Sequence, residues 1–314
     1  MTGTVRHGGA AARLPDWRAD ARRARLRARL VPYVLVAPAV VVLAVTVGYP
    51  ILFNLFASLH RWNLIESDLP EAFVGFGTMA KVLADPHVWN AIRVTMTITV
   101  VAVAVEFLIG LALALTVHEG IVGGRLFRTL LVAPIMATPL VIALVFRLMF
   151  HSEFGIVNHA LGTLGFGPVL WLAQPLPAFV AILTTEIWHN TAFVFLVLIG
   201  ALQMLPKEPY EAALVEGATW VQRLRYITLP MLRPAILVAL LFRVVFAIRL
   251  FDEVYVLTRG GPAGATETIS ILLFKSAFEV FDVAHAAALS LLLLVLTSGL
   301  ALVLVRTLYR RAAA

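Results

Sequence analysis

The chain has 314 residues, of which 61% are hydrophobic and 14% charged, with a formal net charge of +7. Soluble domains run near about 45–50% apolar and about 25% charged residues, so a chain this apolar cannot face water on every side and lipid must be part of its solvent. There is no cysteine, which excludes disulfides, thiolate metal sites and cysteine nucleophiles, and the eight histidines form no H-x-x-x-H pair of the zinc-binding kind.

Residues 1–29 are polar and end in the arginine-rich run RRARLRAR at 22–29. The next stretch, 30–59, has no charged side chain. It is longer than the roughly 7–15 residues of a signal-peptide core, so it is expected to be a retained first span. A second span is expected over 89–117, interrupted by Glu106, and a third over 126–150, with Pro134 and Pro139 inside it. A fourth, 178–205, carries Glu186 and His189. The fifth, 235–257, holds Arg243, Arg249, Asp252 and Glu253, and the sixth, 284–305, is nearly all apolar. The runs are continuous and lack a two-residue alternation, which points to helices rather than barrel strands. The expected fold is an all-α integral membrane protein of about six transmembrane helices, with a tail at 1–29 and a membrane domain over 30–311.

Orientation follows from the excess of Lys and Arg in cytoplasmic loops. The N-terminal tail, the 2–3 loop (Arg125, Arg128), the 4–5 loop (Lys207, Arg223, Arg225, Arg233) and the C-terminal tail (Arg306, Arg310, Arg311) fall on one side. The opposite loops have few basic residues, offset by Glu66, Asp68, Glu71, Glu267, Glu279 and Asp282. Both termini are therefore expected in the cytoplasm, and the protein in the inner (cytoplasmic) membrane. The basic tail reads as a topology signal with affinity for anionic membrane lipid. Nucleic acid is not an expected partner, since no aromatic-interleaved basic platform is present.

The 4–5 loop, 205–234, reads LPKEPYEAALVEGATWVQRLRYITLPMLRP. Pro206 and Pro209 suit a helix start, Glu208 and Glu211 favour the positive end of its dipole, and Gly217 suits a left-handed cap. Thr219-x-x-Gln222 reads as a capping box opening a second short helix, which is expected to stop near Leu229 before Pro230. Ala212, Ala213 and Gly217 leave one flank thin enough for close approach by another surface.

The residues Glu211-Ala212-Ala213, Gly217, Ile227 and Leu229-Pro230, at fixed spacing, resemble the EAA signature of binding-protein-dependent ABC importer permeases. The resemblance covers roughly 90–306. Trp188, Phe193, Ala201-Leu202-Gln203, and Phe251-Asp252 through Leu257-Thr258-Arg259-Gly260-Gly261-Pro262 resemble the carbohydrate branch, in particular the first of two dissimilar permeases of sugar and glycerol-phosphate importers. Glu216, Leu224 and Gly200-Ala201 depart mildly from its usual pattern. The resemblance implies a type I importer fold and a loop that docks in a cleft of an ATPase subunit dimer, which holds ATP and Mg. It further implies a second homologous permease and an extracytoplasmic solute-binding protein. The chain itself is expected to have no catalytic, cofactor or metal site. A phosphate-cradling loop needs Gly-Lys-Ser/Thr, and none of Lys81, Lys207 and Lys275 follows a glycine.

An ionisable side chain inside a span costs roughly 2.5–3.5 kcal/mol at the centre by insertion scales, so such residues face a cavity or a partner. On one helix, Arg249 would share a side with Asp252 and Glu253, at three and four residues' spacing. Arg249 and Asp252 read either as a substrate-contacting wall or as structural charges, in an internal ion pair or near the outer interface, and Glu253 reads as one of those structural charges. Arg243 is expected to pair with Glu186 or Glu106. Trp188 and Phe251 are further candidates for the path, by stacking on a sugar face, although aromatics in membrane helices more often pack. Two other functions compete with the importer. One is a proton-coupled secondary transporter relaying through Glu106, Glu186 or Asp252, and the other an intramembrane enzyme using His189 or His285 with an acid.

Overall fold

A computed structural model of the protein describes residues 31–120 and 124–312, without the side chains of Arg125 and 308–312. The basic segment 1–29 lies outside the described residues. Among the described residues the backbone is helical with no strand, and two isolated bridges join His60 to Phe73 and Asn63 to Asp282. The chain divides into two units, Met1–Phe53 and Asn54–Ala314.

Helix α1, Val31–Ser58, begins in the first unit, where its apolar side chains are exposed. Its 28 residues reach about 42 Å, enough to cross a bilayer core. Residues Ala44–Gly48 wind as a π-helix, and the Tyr49 N–H bonds back to the Ala44 carbonyl. Pro50 follows directly. A proline ring clashes with the carbonyl four residues before it, and the wider turn relieves that clash.

The second unit begins with two helices after α1, α2 (Gly77–Ala84) and α3 (Pro86–His118). Asp85 caps α3 by accepting from the His87 N–H at 2.8 Å, with Pro86 in the first turn. Then come α4 (Gly124–Val132), which runs into a 3₁₀ turn, α5 (Pro139–Met149), α6 (Ile156–Thr163) and α7 (Pro175–Gln203). They are followed by α8 (Glu208–Val215), α9 (Trp220–Arg223), α10 (Leu229–Ile248), α11 (Asp252–Leu257), α12 (Ile269–Phe278) and α13 (Val283–Ala312). Among the described residues, five helices are long and apolar enough to cross a membrane, or six if one bent pair counts as a single broken span.

The most extensive helix contact is α3 against α7. Gly110 makes it close, because a Cβ there would lie 2.8 Å from Val194 Cγ1 and 3.1 Å from the Phe195 nitrogen. Small residues at a crossing let two membrane helices gain dispersion contact where the lipid supplies no hydrophobic drive. Beside a small apolar cluster that joins α2, α3 and α13 through Val82, Val88 and Leu289, two larger ones fill the interior. One joins α3, α5, α7 and α11 through Ile98, Phe146, Ile182 and Val254, and the other joins α3, α7 and α10 through Ala114, Phe195, Leu198 and Leu232. Thr95 fastens the start of α12 to α3 by donating to the Ala91 carbonyl at 2.7 Å and accepting from the Ile269 N–H at 3.0 Å.

Three expected elements differ from the structure. The third span is not one helix: Leu126–Met136 and Pro139–Met149 meet at 99°. Pro139 keeps Thr138 extended (φ −72°, ψ 146°), so the helix breaks there instead of kinking. The fifth span also breaks. α10 ends at Ile248, and the Leu250 N–H makes a tight bond to the Ala247 carbonyl at 3.2 Å before α11 restarts with Asp252 and Glu253 at its positive end. Finally, the helix after Thr219 does not stop at Leu229. It continues through a π-helix, Leu224–Thr228, into α10, and the Leu229 N–H bonds to the Leu224 carbonyl just ahead of Pro230. The same wide turn that precedes Pro50 admits Pro230, which is why proline fails to end this helix.

Candidate functional site

Between the two apolar clusters lies a charged layer. Arg243 of α10 donates from Nε to Glu106 Oε2 of α3 at 2.6 Å and from Nη2 to Glu106 Oε1 at 3.0 Å. The same Nη2 donates to Glu186 Oε1 of α7 at 2.7 Å. All three residues are 2% exposed or less, so a single guanidinium holds three helices through two carboxylates. The expectation that Arg243 pairs with Glu186 or Glu106 is met by both. The planar fork of arginine makes this arrangement possible, since its donors lie along fixed directions that match carboxylate oxygens. Beside the triad, His189 Nδ1 of α7 lies 3.4 Å from Glu253 Oε1 of α11. Glu253 is buried, 3% exposed, so of the two structural places expected for it, the internal pair is the one it takes, and the outer interface is not: the break before α11 turns it inward.

This layer forms one wall of a cavity of about 300 Å³, completed by Pro139, Asn190, Phe246, Arg249, Phe251 and Asp252. Arg249 and Asp252 both line this cavity, but not as neighbours on one helix. They lie on either side of the helix break, and the break itself opens the cavity between α10 and α11. Neither has an ion-pair partner among the described residues, so both are available to a polar solute. Phe251 is held edge and face by its neighbours, with ring centroids 5.3 Å from both Tyr255 and Phe274, and one of its sides reaches the cavity. Trp188 does not join this group. It lines a separate, mostly apolar cavity of about 460 Å³ between α3, α4 and α7, with its ring 5.5 Å from Phe146. His189 and Trp188 are adjacent on α7, and adjacent residues of a helix point about 100° apart.

At the far end of α3 the polar 4–5 loop folds as α8 and α9. Glu216 N–H bonds to Ala212, Gly217 N–H to the Leu214 carbonyl at 3.1 Å and Ala218 N–H to the Ala213 carbonyl at 2.9 Å, with Gly217 at φ +76°. These are the paired bonds of a left-handed glycine cap. The capping box also forms, with Thr219 N–H donating to Gln222 Oε1 at 2.7 Å and Gln222 N–H to Thr219 Oγ1 at 3.4 Å. Glu211, Ala212 and Gly217 are exposed, while Ala213, Ile227, Leu229 and Pro230 are half-buried. The seven residues of the signature thus split into an exposed α8 face and a packed stretch that begins α10. Sequence reading missed Leu214 and Val215, which are 57% and 90% exposed on α8 beside Glu211. They are two neighbouring exposed apolar side chains on a polar loop, and their place between Ala213 and Gly217 was the available signal.

The comparisons with known proteins agree with this geometry. Residues 106–312 match the family described as "Binding-protein-dependent transport system inner membrane component". The "Probable ABC transporter permease protein y4oQ" of Sinorhizobium fredii is 33% identical over 291 residues, covering 93% of this chain and 94% of that protein. The "Trehalose/maltose transport system permease protein MalF" of Thermococcus litoralis is 36% identical over 271 residues, covering 86% and 91%. A chain of a bacterial alginate ABC transporter, crystallised with a pentasaccharide-bound periplasmic protein, superposes with a TM-score of 0.79 at 20% identity, covering 92% of this chain and 97% of that one. The likeness gives the all-helical fold as that of a type I ABC importer transmembrane subunit. By family match, near-full-length relatives and fold together, this chain belongs to the binding-protein-dependent transport system inner membrane components, the permease subunits of ABC importers.

Proposed function

We propose that the chain forms half of the translocation path for a sugar, or a related polyol or sugar phosphate, delivered by an extracytoplasmic binding protein. A second homologous permease supplies the other half. A separate ATPase dimer hydrolyses Mg-bound ATP and docks on α8, and this chain holds no nucleotide. Both termini then lie in the cytoplasm. The observation that carries this reading is α8 itself, a glycine-capped helix that presents Glu211 and Ala212 beside exposed Leu214 and Val215 at a polar end of the molecule. Relatives named for trehalose/maltose and trehalose transport, each 36% identical over 86% of this chain, support the sugar assignment. The cavity beside the charged layer, with Arg249, Asp252 and Asn190 as polar groups among Phe246 and Phe251, offers hydroxyl-binding groups on an apolar wall. A proton relay finds less support, since Glu106 and Glu186 are both committed to Arg243.

The test is ATPase activity of the complete complex in proteoliposomes, with its binding protein, across a panel of neutral sugars, polyols and sugar phosphates. Stimulation by one sugar class, with uptake of that class, is the expected result. Uptake driven by a proton gradient without ATP would overturn it.

A further inference from the structure

The contact that would carry force from α8 into the membrane is narrow. α8 makes no extensive contact with any other helix among the described residues. Two cavities underlie it, of about 350 and 290 Å³, and both are lined by His118, Leu202 and Tyr210. Two side-chain hydrogen bonds link this region to the spans, one from α8 to the start of α10 and the other from α9, the first turn of the helix that continues into α10, to the end of α3. The Tyr210 hydroxyl of α8 donates to Thr228 Oγ1 at 3.0 Å, and Thr228 Oγ1 in turn donates to the Arg223 carbonyl at 3.3 Å. The Trp220 indole N–H of α9 donates to Glu119 Oε1, 101 residues away in sequence.

These ties reach two particular helices. Thr228 opens directly into α10, whose Arg243 lies fifteen residues on, about 22 Å along a helix. Glu119 is the C-cap of α3, whose Glu106 lies thirteen residues back, about 20 Å. Arg243 and Glu106 are the pair that joins α10 to α3 next to the charged cavity. A carboxylate at a helix C-terminus opposes the helix dipole, so Glu119 does nothing for α3 itself. Trp220 follows the Thr219 cap directly, and the capping box fixes its backbone while the indole reaches Glu119.

We propose that Tyr210, Trp220 and Glu119 are positioning residues: their two hydrogen bonds make the inner ends of α3 and α10 follow α8, so that movement of α8 reaches the charged layer. The proposal rests on α8 being the ATPase-docking helix. Rigid helices linked through discrete contacts are the physical means by which one site biases another.

The test uses the complete transporter in proteoliposomes and reads sugar uptake per ATP hydrolysed. Tyr210→Phe with Trp220→Phe removes both donors and keeps an aromatic ring at each position. The double variant is expected to retain the ATPase subunit and ATP hydrolysis while uptake per ATP falls about five- to tenfold, the usual span of a coupling free energy. Glu119→Ala is expected to show part of this loss, and Glu119→Gln, which keeps the acceptor oxygen, to restore the wild-type ratio. An unchanged ratio in the double variant and in Glu119→Ala would overturn the proposal. So would loss of ATPase association, which would place Tyr210 and Trp220 on the docking face instead. Failure of the docking reading shows separately, as normal ATPase association in Glu211→Lys.

Discussion

The charged layer and the 4–5 loop are opposite solutions to being out of place. In the layer, Glu106, Glu186 and Arg243 are ionisable groups in a hydrocarbon-spanning bundle, and each is saturated by partners from other helices. In the loop, Leu214 and Val215 are apolar groups on a polar surface, 57% and 90% exposed among the described residues. A misplaced group that is satisfied internally fixes structure, whereas one left unsatisfied marks where something else binds. Arg249 and Asp252 follow the second rule inside the membrane, because they have no ion-pair partner among the described residues and face a cavity.

This contrast breaks most severely at Arg243. Arg243→Met leaves two buried carboxylates without a counter-charge and is expected to cost about 3–5 kcal/mol, read as loss of folded protein and a lower melting temperature in detergent. Adding Glu106→Gln and Glu186→Gln removes the stranded charges and is expected to recover most of that loss. If Arg243→Met melts like wild type, the layer does not hold the bundle. Gly110→Leu tests the apolar side of the same interface. With Val194 only 2.8 Å from a Cβ there, α3 and α7 must separate, at about 1–3 kcal/mol, measured in the same melt.

At the loop the effects on stability shrink. Thr219→Ala removes the cap of α9 and is expected to cost about 0.5–2 kcal/mol locally, visible as faster amide exchange over 219–224 with the spans unaffected. Arg249→Ala and Asp252→Ala are expected to shift stability by no more than about 0.5 kcal/mol, because neither side chain has an ion-pair partner to lose. Each should nevertheless change the concentration of sugar giving half-maximal uptake. Normal transport in both would move the solute path away from this cavity.

What the sequence made legible follows the same division. The spans were readable because an apolar run of bilayer length is a one-dimensional property, and α3, α7 and α13 lie where the runs predict. The triad was readable as a set of candidates, since a charge in a span must find a partner and few are available. The breaks were not. Pro139 ends a helix while Pro230 sits inside a continuous one, and the difference lies in the π-turn before Pro230, which the residue identities do not announce. The break after Ile248 carries no proline or glycine at all, so the residue identities put Arg249, Asp252 and Glu253 on one helix. Trp188 was assigned to the path because helical spacing gives a residue's neighbours but not which face meets the cavity. The Glu119–Trp220 contact spans 101 residues and had no local signal.

The central claim is that α8 is where the chain meets its ATPase, and Glu211→Lys with Gly217→Asp tests it most directly. Both positions are exposed, and a side chain added at Gly217 meets nothing within 4 Å, so the cost there comes only from holding φ +76°, about 1–2 kcal/mol. The measurement is capture of the ATPase subunit by membranes carrying each variant, with sugar uptake in the same membranes. The account predicts six inserted spans, ATPase capture lost or uncoupled from transport, and no uptake. Full ATPase capture with normal uptake in both variants would contradict it.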